Sequence, residues 1–231
     1  MSRKAVVIVF PGSNCDQDVA AAFAAATGQQ AELVWHTEFS AHQAPLAILP
    51  GGFSYGDYLR AGAIAARSPA LDALREHHRR GGLVLGICNG FQILTEAGLL
   101  PGAFARNHCL HFLSQDVSLR VEANDSPFLA DFACGEVIDL PIAHAEGAYQ
   151  PDQSHPDSDG RVALRYCNQD GAVSAAANPN GAIGNVAGLL DQTGRIFGLM
   201  PHPERNADPA LGSGHGGRLF RSALQAVSHL G

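Results

Sequence analysis

The sequence predicts an α/β fold: an open, mostly parallel sheet with helices on both faces and an antiparallel extension. Two observations carry this reading. In the N-terminal half, short continuous apolar runs alternate with helix-like stretches, as expected of strands buried on both faces. In the C-terminal half, apolar and polar residues alternate one by one, as expected where one strand face meets solvent.

The first run is Ala5-Val6-Val7-Ile8-Val9-Phe10, stopped by Pro11-Gly12. Ser13, Asn14, Cys15 and Asp16 then read as a capping box that opens a helix to about Thr27, with Gly28 as its C-cap. The second run, Leu46-Ala47-Ile48-Leu49, stops at Pro50-Gly51-Gly52. Residues 59–80 read as largely helical, broken near Pro69 and ended by Gly81-Gly82. The third run, Leu83-Val84-Leu85-Gly86-Ile87, leads into Cys88, and residues 89–97 form a helix closed by Gly98. Strand-then-helix repetition of this kind builds a parallel sheet. Further on, Val117, Leu119 and Val121 alternate, as do Val162, Leu164 and Tyr166. Residues 185–190 and 195–200 flank Asp191-Gln192-Thr193-Gly194, a four-residue hairpin loop ending in glycine. Residues 149–160 read as an exposed polar loop, and residues 217–229 as a last helix. With no repeat or linker, residues 1–231 are expected to form one domain.

Composition narrows the function. Of the residues, 46% are hydrophobic and 16% charged, which excludes a disordered chain. The net charge of −7 weighs against nucleic acid and against an anionic membrane surface as partners. The longest apolar runs are strand-sized, short of the ~18 residues of a transmembrane span. Met1-Ser2-Arg3-Lys4 leads straight into the first strand without a small-residue cleavage site, so no signal peptide is expected. Five widely spaced cysteines with no Cys-x-x-Cys point to reduced thiols in the cytoplasm rather than a disulfide framework or zinc ribbon.

In that setting the most informative stretch is Gly86-Ile87-Cys88-Asn89-Gly90, between a buried strand and a helix. A tight turn of this composition lifts its central side chain out of the sheet at a helix N-terminus. There the helix dipole favours a thiolate, and adjacent backbone N–H groups can stabilise an oxyanion. The plainer alternative is a buried core cysteine after a glycine-containing strand end. A cysteine nucleophile needs a base and a group to orient it. Pro201-His202-Pro203-Glu204 follows the last strand; the prolines favour extended geometry in the residues before them, which would let His202 face the thiol while Glu204 holds its far nitrogen. Taken alone, this would be a surface pair in a proline-rich turn. At a strand's C-terminal end, where open α/β sheets place their sites, it is a catalytic candidate. Gly51-Gly52 is suited to aim a second N–H, that of Gly52, at the oxyanion beside the N–H of Asn89.

In the order Gly-Gly loop, Gly-x-Cys-x-Gly, His-Pro-Glu, the chain resembles the triad-type (class I) glutamine amidotransferases. Pro11-Gly12-Ser13-Asn14-Cys15-Asp16, residues 52–62, Asn178-Pro179-Asn180-Gly181 and Met200-Pro201-His202-Pro203-Glu204-Arg205 resemble one branch, the small glutaminase subunits of phosphoribosylformylglycinamidine synthase. The resemblance spans about residues 5–228. It implies a flavodoxin-like sheet and a triad of Cys88, His202 and Glu204. It also implies a glutamine pocket that includes Gly51 and Gln92. L-glutamine would be hydrolysed through a γ-glutamyl thioester on Cys88. The ammonia would pass to a separate synthetase subunit that amidates formylglycinamide ribonucleotide, in a complex completed by a small third subunit. ATP and Mg are expected on the synthetase, with no cofactor and no metal on this chain. Asp57, Tyr58 and Arg60 are expected as exposed contacts to that partner. The chain departs from the branch after Asn107: His108-Cys109-Leu110-His111-Phe112 stands where Asn-x-Ser-x-x-Phe is expected. Three close ligand types invite a metal reading, but no fourth is evident, and a local substitution near the pocket is the plainer account. His144 and Glu146 could form a second catalytic pair; the resemblance instead implies a loop near the synthetase. Two other classes share these motifs: a free-standing thiol hydrolase of the same fold, and a non-catalytic relative, against which the intact Cys88, His202 and Glu204 argue.

Overall fold

The computed structural model describes residues 4–152, 161–210 and 212–228. Five strands, β1 (Ala5–Val9), β2 (Ala31–Trp35), β3 (Leu46–Leu49), β4 (Leu83–Ile87) and β11 (Ile196–Leu199), form a parallel sheet in the order β2-β1-β3-β4-β11. This is the strand order of flavodoxin-like folds. Four antiparallel strands continue it as β10 (Val186–Leu190), β9 (Arg161–Cys167), β6 (Leu113–Val121) and β7 (Val137–His144). A separate small ribbon pairs β5 (Ala103–Ala105) with β8 (Ala148–Gln150). The expected sheet and its extension are both present.

The helices are α1 (Asp16–Thr27), α2 (Pro69–Arg79), α3 (Asn89–Glu96) and α4 (His215–Ser228). From β1 the chain crosses one way to β2, and from β3 the other way to β4. With right-handed crossovers, α1 and α2 therefore lie on opposite faces. Phe23 of α1 meets Phe220 of α4 edge to face, with ring centroids 5.9 Å apart. Every residue of β3, β4, β10 and β11 is buried, as the continuous apolar runs require. No helix among the described residues is long and apolar enough to cross a membrane.

Several local expectations need correction. The capping box does not form: the Cys15 side chain makes no cap bond to α1, and Ser13 Oγ instead accepts from the Phe10 N–H at 3.1 Å. Gly28 does cap that helix, at φ 70°. Residues 59–68 are not helical beyond a short 3-10 turn at Ala65–Arg67. Leu59 and Gly62 stand at φ 72° and 80°, outside helical space, and the helix begins only where Ser68 caps it and Pro69 enters its first turn. The last helix starts at His215 rather than residue 217. His229, and residues 153–160 of the anticipated loop, lie outside the described residues. The hairpin is as expected: Asp191 Oδ1 accepts from the Arg195 and Ile196 N–H groups, and Gly194 turns at φ 71°. Strand β7 went unread because Pro141 interrupts its pattern; it lies at the sheet edge, where proline is tolerated.

The end of β7 is tied down by buried polar groups. Asn107 Oδ1 accepts from His144 Nδ1 at 3.1 Å and from the Gly147 N–H at 3.0 Å, and Asn107 Nδ2 donates to the His144 carbonyl at 2.9 Å. Asn180 Nδ2 donates to the Gly147 carbonyl at 2.9 Å and to the Tyr166 hydroxyl at 3.2 Å. The Asn178–Gly181 motif thus braces the 144–147 loop.

Burial, with the neighbouring His202 imidazole adding to it, pushes His144 down to about 4. In the unfolded chain it would protonate near 6.5. As pH falls the unfolded state takes the proton first. The contribution of His144 to stability is therefore full above about 6.5 and declines toward pH 4, by about 3 kcal/mol. Urea unfolding of wild type and His144→Gln across this range should show a shallower loss of stability in the variant. Equal slopes would contradict this assignment.

Candidate active site

The site lies at the C-terminal ends of β1, β3, β4 and β11, beside the point where the strand order reverses. Cys15 follows β1, Gly51 and Gly52 follow β3, Cys88 follows β4, and His202 follows β11.

Cys88 occupies the turn between β4 and α3 at φ 50°, ψ −105°. Such a conformation costs a non-glycine residue about 1–3 kcal/mol and persists only where its surroundings enforce it. The two flanking glycines do so by permitting close contact. A Cβ on Gly90 would stand 2.1 Å from the Leu49 carbonyl oxygen, and one on Gly86 2.9 Å from the Gly90 backbone. Helix α3 is thereby seated directly on the strand ends, with Cys88 at its N-cap. The Asn89 N–H opens the helix and has no acceptor within it, leaving it available to an oxyanion.

His202 is buried in extended backbone (φ −102°, ψ 95°), and its N–H donates to the Pro141 carbonyl of β7 at 2.8 Å. The chain does not stay extended beyond it: Pro203–Asn206 is a 3-10 turn. That turn brings Glu204 back, so that His202 Nδ1 and Glu204 Oε1 are 2.6 Å apart, both side chains buried. His202 Nε2 is buried without an oxygen or nitrogen partner. Burial works against a charged imidazole here. The Cys88 sulfur and Glu204 outweigh it, with Cys15 adding to them, and hold His202 well above the usual histidine range. Both neighbours thus favour the imidazolium form of His202.

Two cavities meet at Cys88, and Gly52, Phe53, Cys88 and Ala143 border both. The larger, about 260 Å³, adds Cys15, Phe112, His202 and Arg205. The smaller, about 80 Å³, adds Asp57, Gln92, His144 and Glu146. The structure thus brings Cys88, His202, Glu204, Gly52 and Asn89 together. Gly51 lines neither cavity and instead lets the His202 ring approach: a Cβ there would lie 2.7 Å from His202 Cε1. Gln92 borders the smaller cavity, but its amide is already bonded to Asn89 Nδ2 at 3.0 Å and to the Glu146 carbonyl at 2.6 Å. It shapes the wall.

Asp57 departs from its expected place as an exposed contact. It is half-buried, faces Cys88 across the smaller cavity, and accepts from Asn89 Nδ2 at 3.3 Å. Burial first and Glu146 second push its carboxyl up to about 6. Tyr58 is 75% exposed, and Arg60 is exposed but held by Glu96 at 2.5 Å. Sequence reasoning left Cys15 without a place and missed Arg205. Cys15 shares the larger cavity, and Arg205 Nη2 donates to its sulfur at 3.5 Å. The signal was present in both cases, since each residue adjoins a motif.

Among the described residues, ligand atoms of Cys15, His202 and Glu204 lie within 4.8 Å of one another. The His202–Glu204 hydrogen bond already engages two of these three side chains. His108, Cys109 and His111 form no such group, and the Cys109 thiol turns to the His111 carbonyl at 3.7 Å. The second-pair reading of His144 and Glu146 also fails, because His144 Nδ1 is held by Asn107.

Residues 2–218 match the family model of the CobB/CobQ-like glutamine amidotransferase domain. Phosphoribosylformylglycinamidine synthase subunit PurQ of Gloeobacter violaceus is 53% identical over 227 residues, covering 97% of this chain and 98% of that protein. The same subunit from Moorella thermoacetica is 52% identical over 221 residues, 94% of each chain. Among solved structures, a chain of PurLQS from Thermotoga maritima superposes with a TM-score of 0.85 at 41% identity, over 98% of this chain and all of that one. At this similarity over nearly its whole length, the chain belongs to the CobB/CobQ-like glutamine amidotransferase family, among the PurQ subunits of phosphoribosylformylglycinamidine synthase.

Proposed function

We propose that this chain is the glutaminase subunit of phosphoribosylformylglycinamidine synthase, with Cys88 as nucleophile. The observation that carries the mechanism is the strained Cys88 turn opening on the same cavity as the buried His202, whose Nδ1 is held by Glu204. The Cys88 thiolate attacks the carboxamide carbon of L-glutamine. The N–H groups of Asn89 and Gly52 hold the tetrahedral oxyanion. His202 gives its proton to the departing ammonia, leaving a γ-glutamyl thioester on Cys88. His202, now neutral, takes a proton from the water that hydrolyses the thioester to glutamate. Glu204 keeps the imidazole in one tautomer and orientation throughout.

Ammonia in neutral water is protonated and no longer a nucleophile, so the product is useful only if handed on directly. Its recipient is the synthetase subunit, which converts formylglycinamide ribonucleotide to formylglycinamidine ribonucleotide, with a small third subunit completing the complex. The likeness to PurLQS supports that assembly. ATP and Mg belong on the synthetase. Location in the cytoplasm accords with five free thiols. The docking face is the rim beside the cavities, where Phe53, Phe112, Tyr58 and Leu59 are exposed, Leu59 to 88%.

Cys88→Ala should lower glutamine-dependent synthesis by more than about a thousandfold in the reconstituted complex and leave ammonia-dependent synthesis intact. Loss of both would contradict a nucleophile confined to glutamine hydrolysis. Tyr58→Ala with Leu59→Ala should weaken assembly with the synthetase by at least about tenfold without altering the synthetase's use of free ammonia. Unchanged affinity would remove this rim from the interface.

A further inference from the structure

The turn that follows the Gly52 donor is held by a row of side chains that the hydrolysis steps do not use. Two of its residues, Tyr55 and Asp57, stand at φ 53°. Left-handed backbone at such residues persists only where the surroundings enforce it. Part of that enforcement is main-chain: the Phe53 N–H donates to the Gly12 carbonyl at 3.0 Å, and the Tyr55 N–H to the Pro11 carbonyl at 2.6 Å. The rest comes through the Tyr55 side chain. Its hydroxyl lies 3.3 Å from His36 Nε2, and His36 Nδ1 lies 2.7 Å from Ser68 Oγ. A hydroxyl can donate or accept, so both ring nitrogens are satisfied in either tautomer. His36 is itself fixed. It is buried, its ring stacks on Phe10 with centroids 5.2 Å apart, and its main-chain N–H donates to the Val9 carbonyl at 2.9 Å. Ser68 caps α2. Tyr55 is thus tied, through His36, to the sheet and to a helix.

The same turn meets both oxyanion donors. It continues directly from Gly52, whose N–H takes no main-chain acceptor among the described residues. Its Ser54 N–H donates to Asn89 Oδ1 at 3.1 Å, and Asn89 carries the second donor. A shift of Tyr55 would therefore displace both N–H groups relative to Cys88. We propose that His36 is a positioning residue: acting through the Tyr55 hydroxyl, it holds residues 52–57 so that the Gly52 and Asn89 N–H groups converge on the transition-state oxygen. The inference rests on the glutaminase reading above and adds a residue, remote from the reacting atoms, that sets rate and not substrate affinity. The charge these donors stabilise exists only in the transition state, so misplacing them costs kcat and leaves KM unchanged.

The test uses Tyr55→Phe, which removes one hydroxyl, together with His36→Asn and the double variant, in the complex reconstituted with the synthetase and small subunits. Two probes separate positioning from general damage. The γ-aldehyde analogue of glutamine adds the Cys88 thiolate at its carbonyl and so places an oxygen where the oxyanion forms. Iodoacetamide alkylates the same thiolate without forming an oxyanion. Each single variant should lower glutaminase kcat and aldehyde affinity together, by at least about tenfold, with KM for glutamine and the rate of Cys88 alkylation unchanged. The double variant should lose no more than either single one, because both break the same link. Unchanged aldehyde affinity in Tyr55→Phe, an equal fall in alkylation, or losses that multiply in the double variant would overturn the positioning role. Cys88→Ala separates this failure from failure of the parent reading: persistent glutamine hydrolysis in that variant would overturn the nucleophile instead.

Discussion

The contact of helix α3 with the ends of β3 and β4 is what the remainder of the site depends on. Gly90 lies so close to the Leu49 carbonyl, and Gly86 so close to Gly90, that a single methyl group at either position would collide with backbone. Gly198 on β11 extends the same seat, since a Cβ there would strike the Phe91 ring at 2.2 Å. Because the helix is seated so low, its first turn must start abruptly, and Cys88 takes up the strain at φ 50°. The benefit is positional. The sulfur borders the cavity, the Asn89 N–H has no acceptor within the helix, and the positive end of the helix dipole lies at Cys88. Residues Asn89 to Thr95 are all buried, so the helix has little freedom to relax.

Charge completes what packing begins. A buried histidine is ordinarily driven to its neutral form, and His144 shows that outcome a short distance away. His202 goes the other way because it lies between a sulfur and a carboxylate. Two imidazoles at one site thus differ: one is drawn toward its charged form, while the other, locked by Asn107, holds a wall in place. The same logic separates the carboxylates. Glu204 is committed to His202. Asp57 and Glu146 border the smaller cavity, and burial together with Glu146 raises the Asp57 carboxyl.

The sequence was most legible where one physical demand dominates. Strands buried on both faces must be apolar throughout, and β1, β3 and β4 were read from that alone. The tight turn at Cys88 must have small flanking residues, and the His202–Glu204 pair is local in sequence. What escaped reading depends on partners far away along the chain. Pro141 argues against a strand until β7 is seen to lie at the edge. Ser13 looks like a helix cap until it is seen bonded to the Phe10 N–H. Asp57 sits in a turn whose left-handed residues, Tyr55, Asp57 and Leu59, have no pattern that announces them, so its orientation toward Cys88 was invisible. The role of Asn180 appears only when residues 144, 147 and 166 converge on it.

The central claim is that Cys88, and not the neighbouring thiol of Cys15, carries the acyl group. The complex can be acid-quenched during turnover of L-glutamine and its peptides weighed by mass spectrometry. The account requires a γ-glutamyl adduct on the peptide containing Cys88, absent when glutamine is omitted. An adduct on Cys15, or glutamate formed steadily with Cys88 never modified, would contradict it.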